Sequence, residues 1–257
     1  MHLSALIAFM PIPPMKKTDN KLRGFTLIEL LTVIAIVAVL AAILIPAVGM
    51  VRQKAGTAET VSNLRQLYGA MQLYANEKGN KLPVPKTLGG TLWNKDVLFP
   101  YMFPEVANPE WSDLAGTVFT SPNAPDIGQK DNENAPAVSN AANQGFGMNT
   151  HLPSFADIPA NANFGEGREP ALVRLNDLSR TMLLMDCNAQ TIIGQDYYLQ
   201  QFTTYVSNRH NGNNTVLFCD GHVETIPHER FSSTSTDPLM PFNAALGTSA
   251  SLFWRGK

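Results

Sequence analysis

The stretch that decides the fold runs from Lys21 to Pro46 and reads KLRGFTLIELLTVIAIVAVLAAILIP. Glu29 is the only charged residue among residues 24–51. Because a helix rises about 1.5 Å per residue, roughly 20 residues of this apolar run are enough to cross a hydrocarbon core about 30 Å thick. The sequence therefore predicts a transmembrane helix over residues 25–47, with Pro46 kinking or breaking the helix where the apolar run ends.

Positive charges precede the apolar run and set its expected orientation. The basic residues of this leader are Lys16, Lys17, Lys21 and Arg23. The excess of positive charge predicts that the N-terminus stays in the cytoplasm and that the rest of the chain lies outside. An ordinary secretory signal would carry a small-residue cleavage site after its apolar core, and none follows Pro46. Cleavage between Gly24 and Phe25, before the apolar run, is the more sensible expectation.

Residues 24–29, with the sequence GFTLIE, and the apolar helix behind them resemble the type III signal of type IV pilins and type II secretion pseudopilins. The resemblance implies that a prepilin peptidase cuts between Gly24 and Phe25 and methylates the new amino group of Phe25. It also implies that Glu29 neutralises the Phe25 ammonium of a neighbouring subunit during filament assembly. Pro46 falls where the helices of this family commonly carry a proline.

Physical chemistry agrees with that role for Glu29. An ammonium and a carboxylate are each costly in lipid, and they offset one another only when they are paired. The alternative is a plain single-span anchor whose Glu29 side chain extends to the membrane interface.

The leader, residues 1–24, also affects the charge balance. Residues 1–14 form a short apolar run that ends in prolines and is too brief to span a membrane, so we expect translation to start at Met15. Residues 1–24 hold four of the 19 basic residues and one of the 21 acidic ones, which leaves 15 against 20 and a mature charge of −5. A net negative chain is not suited to binding a phosphate backbone, so we expect no nucleic-acid partner.

Residues 48–80 predict an amphipathic continuation of the first helix. Apolar residues recur at intervals of three and four at Val61, Leu64, Tyr68, Met71 and Ala75. Gly79 and Asn80 provide the stop signal. Gly49 and Gly56 either let the helix melt locally or fit as small residues into a packed seam, and the sequence leaves both readings open.

From Lys81 to Ala171 the sequence is interrupted by prolines and predicts a loop-rich region. Its aromatic residues supply core material: Trp93, Phe99, Tyr101, Phe103, Trp111 and Phe119. In the alternative of a binding protein, Trp93 and Trp111 would line a pocket. Calcium binding by scattered loop acids is a further alternative, although their spacing is not that of an EF-hand and favours solvated charges. These acids are Asp126, Asp131, Glu133 and Asp157.

The C-terminal part of the chain, from residue 181 to residue 226, has the sequence pattern of β-strands. Alternating or buried apolar patterns predict strands at 181–185, 202–207, 215–219 and 222–226, and Asp220-Gly221 is a strong two-residue hairpin signal. Residues 81–257 therefore predict an extracytoplasmic domain that combines loops with an antiparallel sheet. The fold class is α+β: a long N-terminal helix, transmembrane and then amphipathic, packed on a C-terminal antiparallel sheet.

Within this sheet, His210, Asp220 and Gly221 reproduce the H-x9-DG pattern and resemble the region of that name associated with prepilin-type processing. A metal site formed by His210, Asp220 and His222 is opposed by geometry. An extended strand between His210 and Asp220 would hold them roughly 20 Å or more apart. We therefore expect His210, Asp220 and Gly221 to fix turns and expect no metal site.

Two cysteines in strand contexts leave two alternatives. Cys187 and Cys219 either form a disulfide, as an oxidising compartment permits, or remain buried thiols. The sequence carries no G-x-S-x-G elbow, no phosphate-binding glycine loop and no C-x-x-C, so nothing in it requires catalysis or a cofactor.

The sequence thus predicts a non-enzymatic, single-pass inner-membrane protein that assembles with other pilin-like subunits into a type II secretion pseudopilus or a type IV pilus-like filament. Its C-terminal domain would be periplasmic or exposed on the filament surface. The expected partners are the prepilin peptidase, homologous subunits, an inner-membrane assembly platform and membrane lipid. The competing hypothesis is a monomeric, membrane-tethered protein that binds a glycan or a small solute.

Overall fold

The computed structural model describes residues 25–86, 90–126, 129, 144–152, 170–187, 192–193, 209–231 and 253–254. The chain divides into two compact units, Met1–Ala47 and Val48–Lys257. The leader with its expected start at Met15, and the strand predicted at 202–207, lie outside the described residues.

Helix α1 runs from Leu27 to Glu77 and contains Pro46. The predicted break at Pro46 is therefore wrong, while a kink there stays a prediction. A proline removes one intrahelical hydrogen bond, and a helix of 51 residues tolerates the loss of one. The helix ends as predicted, because Gly79 and Asn80 take positive φ angles of 68° and 64° and the Asn80 N–H donates to the Ala75 carbonyl at 2.7 Å.

The second half of α1 buries one face. The buried residues are Gly56, Thr60, Asn63, Leu64, Leu67, Ala70, Met71 and Ala75. The predicted stripe is thus confirmed at Leu64, Met71 and Ala75, whereas Val61 and Tyr68 are only partly buried. The buried face begins with small and polar residues because it meets polar partners there. The Asn63 side chain donates to the Thr120 carbonyl at 3.2 Å.

The sheet has the order β3-β1-β2-β4-β5. Its strands are β1 (Phe146–Asn149), β2 (Met182–Asp186), β3 (Ile192–Ile193), β4 (Asn213–Phe218) and β5 (Val223–Pro227). Strands β1, β2, β4 and β5 pair antiparallel, as predicted, but β3 pairs parallel to β1. Because β1 and β4 flank β2, and β5 lies beyond β4, β3 occupies the edge of the sheet beside β1.

Strands β4 and β5 form the predicted hairpin. Leu217 pairs with Val223, and the Gly221 N–H donates to the Phe218 carbonyl at 3.0 Å. Gly221 has a φ angle of 93°, which a residue with a Cβ rarely adopts. The Asp220-Gly221 dipeptide therefore forms the turn that its sequence indicates.

Two apolar clusters cover the two faces of the sheet. The larger cluster joins α1 residues such as Leu67 to Trp93, Phe119 and Leu184. The other contains Met185 on β2 together with Phe253 and Trp254. Leu183 and Leu184 of β2 enter the larger cluster and Met182 and Met185 the other, which explains why this strand is a continuous apolar run. The sequence did not place Phe253 and Trp254.

Short helical turns lie between α1 and the sheet, between β1 and β2, and after β5. Trp93–Leu98 is a π-helical turn that leads into α2 (Phe99–Met102). Three-residue and four-residue 3-10 turns lie at Trp111–Leu114, Leu172–Arg174, Leu178–Arg180 and His228–Phe231. Trp93 is 1% exposed and belongs to the core, while Trp111 is partly buried against it. The predicted core role of these aromatics is confirmed.

Candidate functional site

The first turn of α1 contains a reciprocal pair of hydrogen bonds between Thr26 and Glu29. The Thr26 N–H and hydroxyl donate to Glu29 Oε2 at 2.9 and 2.7 Å, and the Glu29 N–H donates to Thr26 Oγ1 at 3.2 Å. This is a capping box, and a carboxylate at this end also complements the helix dipole. It holds the Glu29 carboxylate within one turn of Phe25. Sequence reasoning missed this role of Thr26, although the T-x-x-E spacing was there to read.

The first half of α1 leaves its apolar side chains exposed. Ile28 is 71% exposed, Ile36 is 61% exposed and Ile45 is 72% exposed. Among the described residues, one helix, α1, is long and apolar enough to cross a membrane, and its most apolar window is not buried at all. Such a surface requires an apolar environment, either lipid or the helices of other chains.

A buried polar cluster at the end of β2 joins this strand to residues 209 and 210, which precede β4. His210 Nε2 lies 2.5 Å from Asp186 Oδ2, and Arg209 Nη1 lies 3.5 Å from Asp186 Oδ1. Arg209 Nη1 also donates to the Gln144 carbonyl at 3.1 Å. All three charged or ionisable side chains are buried. The Arg209 guanidinium therefore compensates the Asp186 carboxylate, as burial of a charge requires.

The opposite side of the His210 ring meets helix α1 and the loop that contains Asn123. His210 Nδ1 lies 3.0 Å from Thr57 Oγ1 and 3.1 Å from Asn123 Nδ2. A carboxylate faces Nε2, and an amide donor faces Nδ1. The hydrogen-bond network thus assigns the proton to Nε2 and leaves a lone pair on Nδ1.

Gly221, at the other end of the H-x9-DG pattern, also lies against helix α1. A Cβ added to Gly221 would lie 2.4 Å from the Tyr68 ring, and the Tyr68 hydroxyl donates to the Cys219 carbonyl at 3.2 Å. Burial, with smaller contributions from Cys219 and Asp220, raises the pKa of Tyr68. Since Thr57 and Tyr68 are about three helical turns apart, both ends of β4 are fastened to one helix.

The sequence-predicted residues of this region do not converge on a metal. His210 contacts Asp186, whereas His222 stays at the hairpin, where its Nδ1 lies 2.6 Å from Asp220 Oδ1. Across the described ranges, no group of three or more His, Cys, Asp or Glu side chains could hold a metal ion. Of the loop acids considered for calcium, Asp126 is exposed. Asp131, Glu133 and Asp157 lie outside the described residues.

The disulfide alternative for Cys187 and Cys219 is wrong. Both residues are buried thiols that are not bonded to each other. Cys187 directly follows β2, whereas the Cys219 N–H donates to the carbonyl of Thr181, directly before β2. The two cysteines thus lie at opposite ends of this strand. A disulfide requires Cα atoms within about 7 Å, and a five-residue strand is roughly 17 Å long.

We expect neither thiol to react with iodoacetamide in the native protein. Both are about 0–1% exposed, and burial, reinforced by Asp220, raises the pKa of Cys219. Mass spectrometry after brief alkylation should find both thiols unmodified in the folded chain and both alkylated in urea. Alkylation of Cys219 at the same rate in both conditions would contradict the burial described here.

We expect Gly221→Ala to destabilise the compact unit Val48–Lys257. The φ angle of 93° costs a residue with a Cβ about 1–2 kcal/mol, and displacing the Tyr68 ring adds about 1–3 kcal/mol. Gly116→Ala is the matched control, because Gly116 has a φ of 69° with nothing within 4 Å of the added Cβ. Urea unfolding should separate the two variants, and equal losses would show that the Tyr68 contact carries no weight.

Comparison with known proteins identifies the N-terminal segment. Residues 19–45 match the family described as the prokaryotic N-terminal methylation motif. The chain therefore carries a prokaryotic N-terminal methylation motif. The chain is also 45% identical over 56 residues to the type IV major pilin protein PilA of Myxococcus xanthus (strain DK1622).

The match to the Myxococcus pilin covers 22% of this chain and 26% of the pilin, so it spans about a quarter of that relative's length. No solved structure matches the chain. The N-terminal likeness to pilins is thus confirmed, while the likeness of residues 210–221 to the H-x9-DG region stays a prediction.

Proposed function

We propose that the chain is a pilin-like structural subunit that a prepilin peptidase processes and that assembles into a type II secretion pseudopilus or a type IV pilus-like filament. The observation that carries this proposal is the placement of Glu29. Its carboxylate lies in the first turn of an exposed apolar helix, directly after the predicted cleavage site between Gly24 and Phe25. The methylation motif at residues 19–45 and the similarity to a major pilin support it.

The proposed mechanism is polymerisation rather than catalysis. Cleavage after Gly24 creates a new ammonium on Phe25, which is methylated and remains positive. In lipid that ammonium needs a negative partner, and Glu29 of a neighbouring subunit supplies it. The exposed apolar side chains of α1 then pack against those of other first helices, which replaces contact with lipid by contact between helices.

This proposal sets the location and the partners. The chain spans the inner membrane once, with its N-terminus in the cytoplasm and its C-terminal domain in the periplasm or on the filament surface. Its partners are the prepilin peptidase, other pilin-like subunits, an inner-membrane assembly platform and membrane lipid. The competing function, a membrane-tethered binding protein for a glycan or small solute, loses support because Trp93 is 1% exposed and packs in the core.

The proposal is tested by the mature N-terminus and by cross-linking in cells under native expression. Mass spectrometry should find a chain that begins with methylated Phe25. An Ile36→Cys variant should form disulfide-linked oligomers, and the parent chain is a clean control because Cys187 and Cys219 are buried. A mature chain that retains residues 1–24, or one that stays monomeric, would overturn the proposal.

A further inference from the structure

We propose that Thr57 and Asn123 become joined by an intramolecular ester bond, with His210 as the base and Asp186 orienting it. The Asn123 side-chain N–H donates to Thr57 Oγ1 at 3.3 Å, so a hydroxyl and a carboxamide are hydrogen-bonded neighbours, with the amide nitrogen facing the hydroxyl. The two residues are 66 positions apart in the chain, which makes their approach a product of the fold. The bond would covalently attach helix α1 to the segment that follows the core residue Phe119.

His210 is placed to move the proton that this reaction transfers. Its Nδ1 is 3.0 Å from the Thr57 hydroxyl and 3.1 Å from the nitrogen of the Asn123 amide. A general base must lie within about 2.6–3.2 Å of the heavy atom whose proton it takes, and both distances fall in that range. Asp186 on Nε2 holds the ring with its lone pair on Nδ1, as the third group of a nucleophile–base–carboxylate triad does.

Gly56 and Gln53 hold the carboxamide in position beside the hydroxyl. Asn123 Nδ2 donates to the Gln53 carbonyl at 3.2 Å. A Cβ on Gly56 would lie 2.0 Å from Asn123 Oδ1 and 2.7 Å from its Cγ, so the amide rests directly on the helix backbone next to Thr57. A larger residue at position 56 would push the reacting carbon away from Thr57.

The reaction balances without any further reagent. In the structure the Thr57 hydroxyl donates to the Gln53 carbonyl at 3.0 Å, so the reaction begins when this hydroxyl turns to His210 Nδ1 and the Asn123 amide rotates to present Cγ. Thr57 Oγ1 then attacks Asn123 Cγ while its proton passes to His210 Nδ1. The proton then moves from Nδ1 to the amide nitrogen, the Cγ–Nδ2 bond breaks, and ammonia leaves. One C–O bond has replaced one C–N bond, and nothing is oxidised or reduced. Because the reaction takes place once in each chain and only ammonia leaves, it needs no cleft for a substrate.

Mass spectrometry of the full chain, purified from membranes and denatured, tests the proposal. The intact mass should be lower than that of the processed sequence by one ammonia molecule. A tryptic digest should contain one linked species made of residues 55–65 and residues 96–130. Unlinked peptides of unmodified mass would overturn the proposal. So would ammonia loss confined to the second peptide, because that is the signature of a cyclic imide at an asparagine.

Variants separate the chemistry from simple folding. Thr57→Val, His210→Gln and Gly56→Ala should each abolish the link, while Thr57→Ser should retain it. Thr60→Val is the matched control and should keep the link, because Thr60 Oγ1 contacts Ser121 Oγ at 3.2 Å rather than a histidine. Circular dichroism should show native helix content in each chain that is scored. A fully linked His210→Gln chain would overturn the assignment of the base.

Discussion

A chain with Glu29→Ala is expected to enter the membrane and lose its leader but to form almost no filament. Each neighbouring Phe25 ammonium would then have no carboxylate partner. Leaving one charge of a buried pair without its partner costs about 3–5 kcal/mol, which corresponds to roughly a hundredfold or more in an assembly equilibrium. The measurement is the ratio of sheared filament to total processed subunit on immunoblots.

Two further variants isolate the charge from the helix cap. Glu29→Gln retains an acceptor for Thr26 but removes the negative charge, so it should assemble as poorly as Glu29→Ala. Thr32→Val should assemble normally, because the Thr32 hydroxyl donates to the Glu29 carbonyl at 2.9 Å and does not touch the carboxylate. Wild-type filament levels from Glu29→Ala would count decisively against the proposed pairing.

The second large effect is expected at Asp186. An Asp186→Ala chain would leave Arg209 at 4% exposure and His210 at 2% exposure without their carboxylate. Loss of one member of such a buried pair lowers the free energy of unfolding by about 3–5 kcal/mol. Urea unfolding of the purified chain measures it, with tryptophan fluorescence as the probe because Trp93 and Trp254 are buried.

Asp177→Ala provides the comparison for Asp186. The Asp177 carboxylate accepts hydrogen bonds from the backbone of Ser179 and Arg180, but it is an exposed cap of a short helical turn. Its loss is expected to cost about 1 kcal/mol. Similar losses from both variants would mean that the buried cluster contributes no more than a surface cap.

Local patterns in the sequence were enough for α1, β2, β4 and β5, but not for β1 and β3. The apolar run after Phe25 predicts the first half of α1, Gly79-Asn80 its end, and Asp220-Gly221 the hairpin, because each signal acts within a few residues of chain. The exposed face of α1 could be predicted in the same way. The capping role of Thr26 was also local and was missed.

Contacts between distant residues escaped prediction. His210 was interpreted only as a turn residue, and that interpretation was incomplete. The side chain of His210 contacts Asp186, Thr57 and Asn123, which are 24, 153 and 87 positions away in the chain. The disulfide hypothesis was wrong for a related reason. Both cysteines end strands, but which ends lie together depends on the pairing of β2 with β4.

The sequence by itself determined that an apolar helix with one carboxylate near its start precedes a domain with an antiparallel hairpin. Hydrophobic periodicity, charge and turn residues are local features of the chain, so they can be identified without the structure. Only the tertiary structure decided that β3 joins in parallel, that Cys187 and Cys219 are separated, and that His210 bridges the sheet to α1. The physical reason is that register and strand order are chosen by burial of the whole domain, and no short stretch of sequence records that choice.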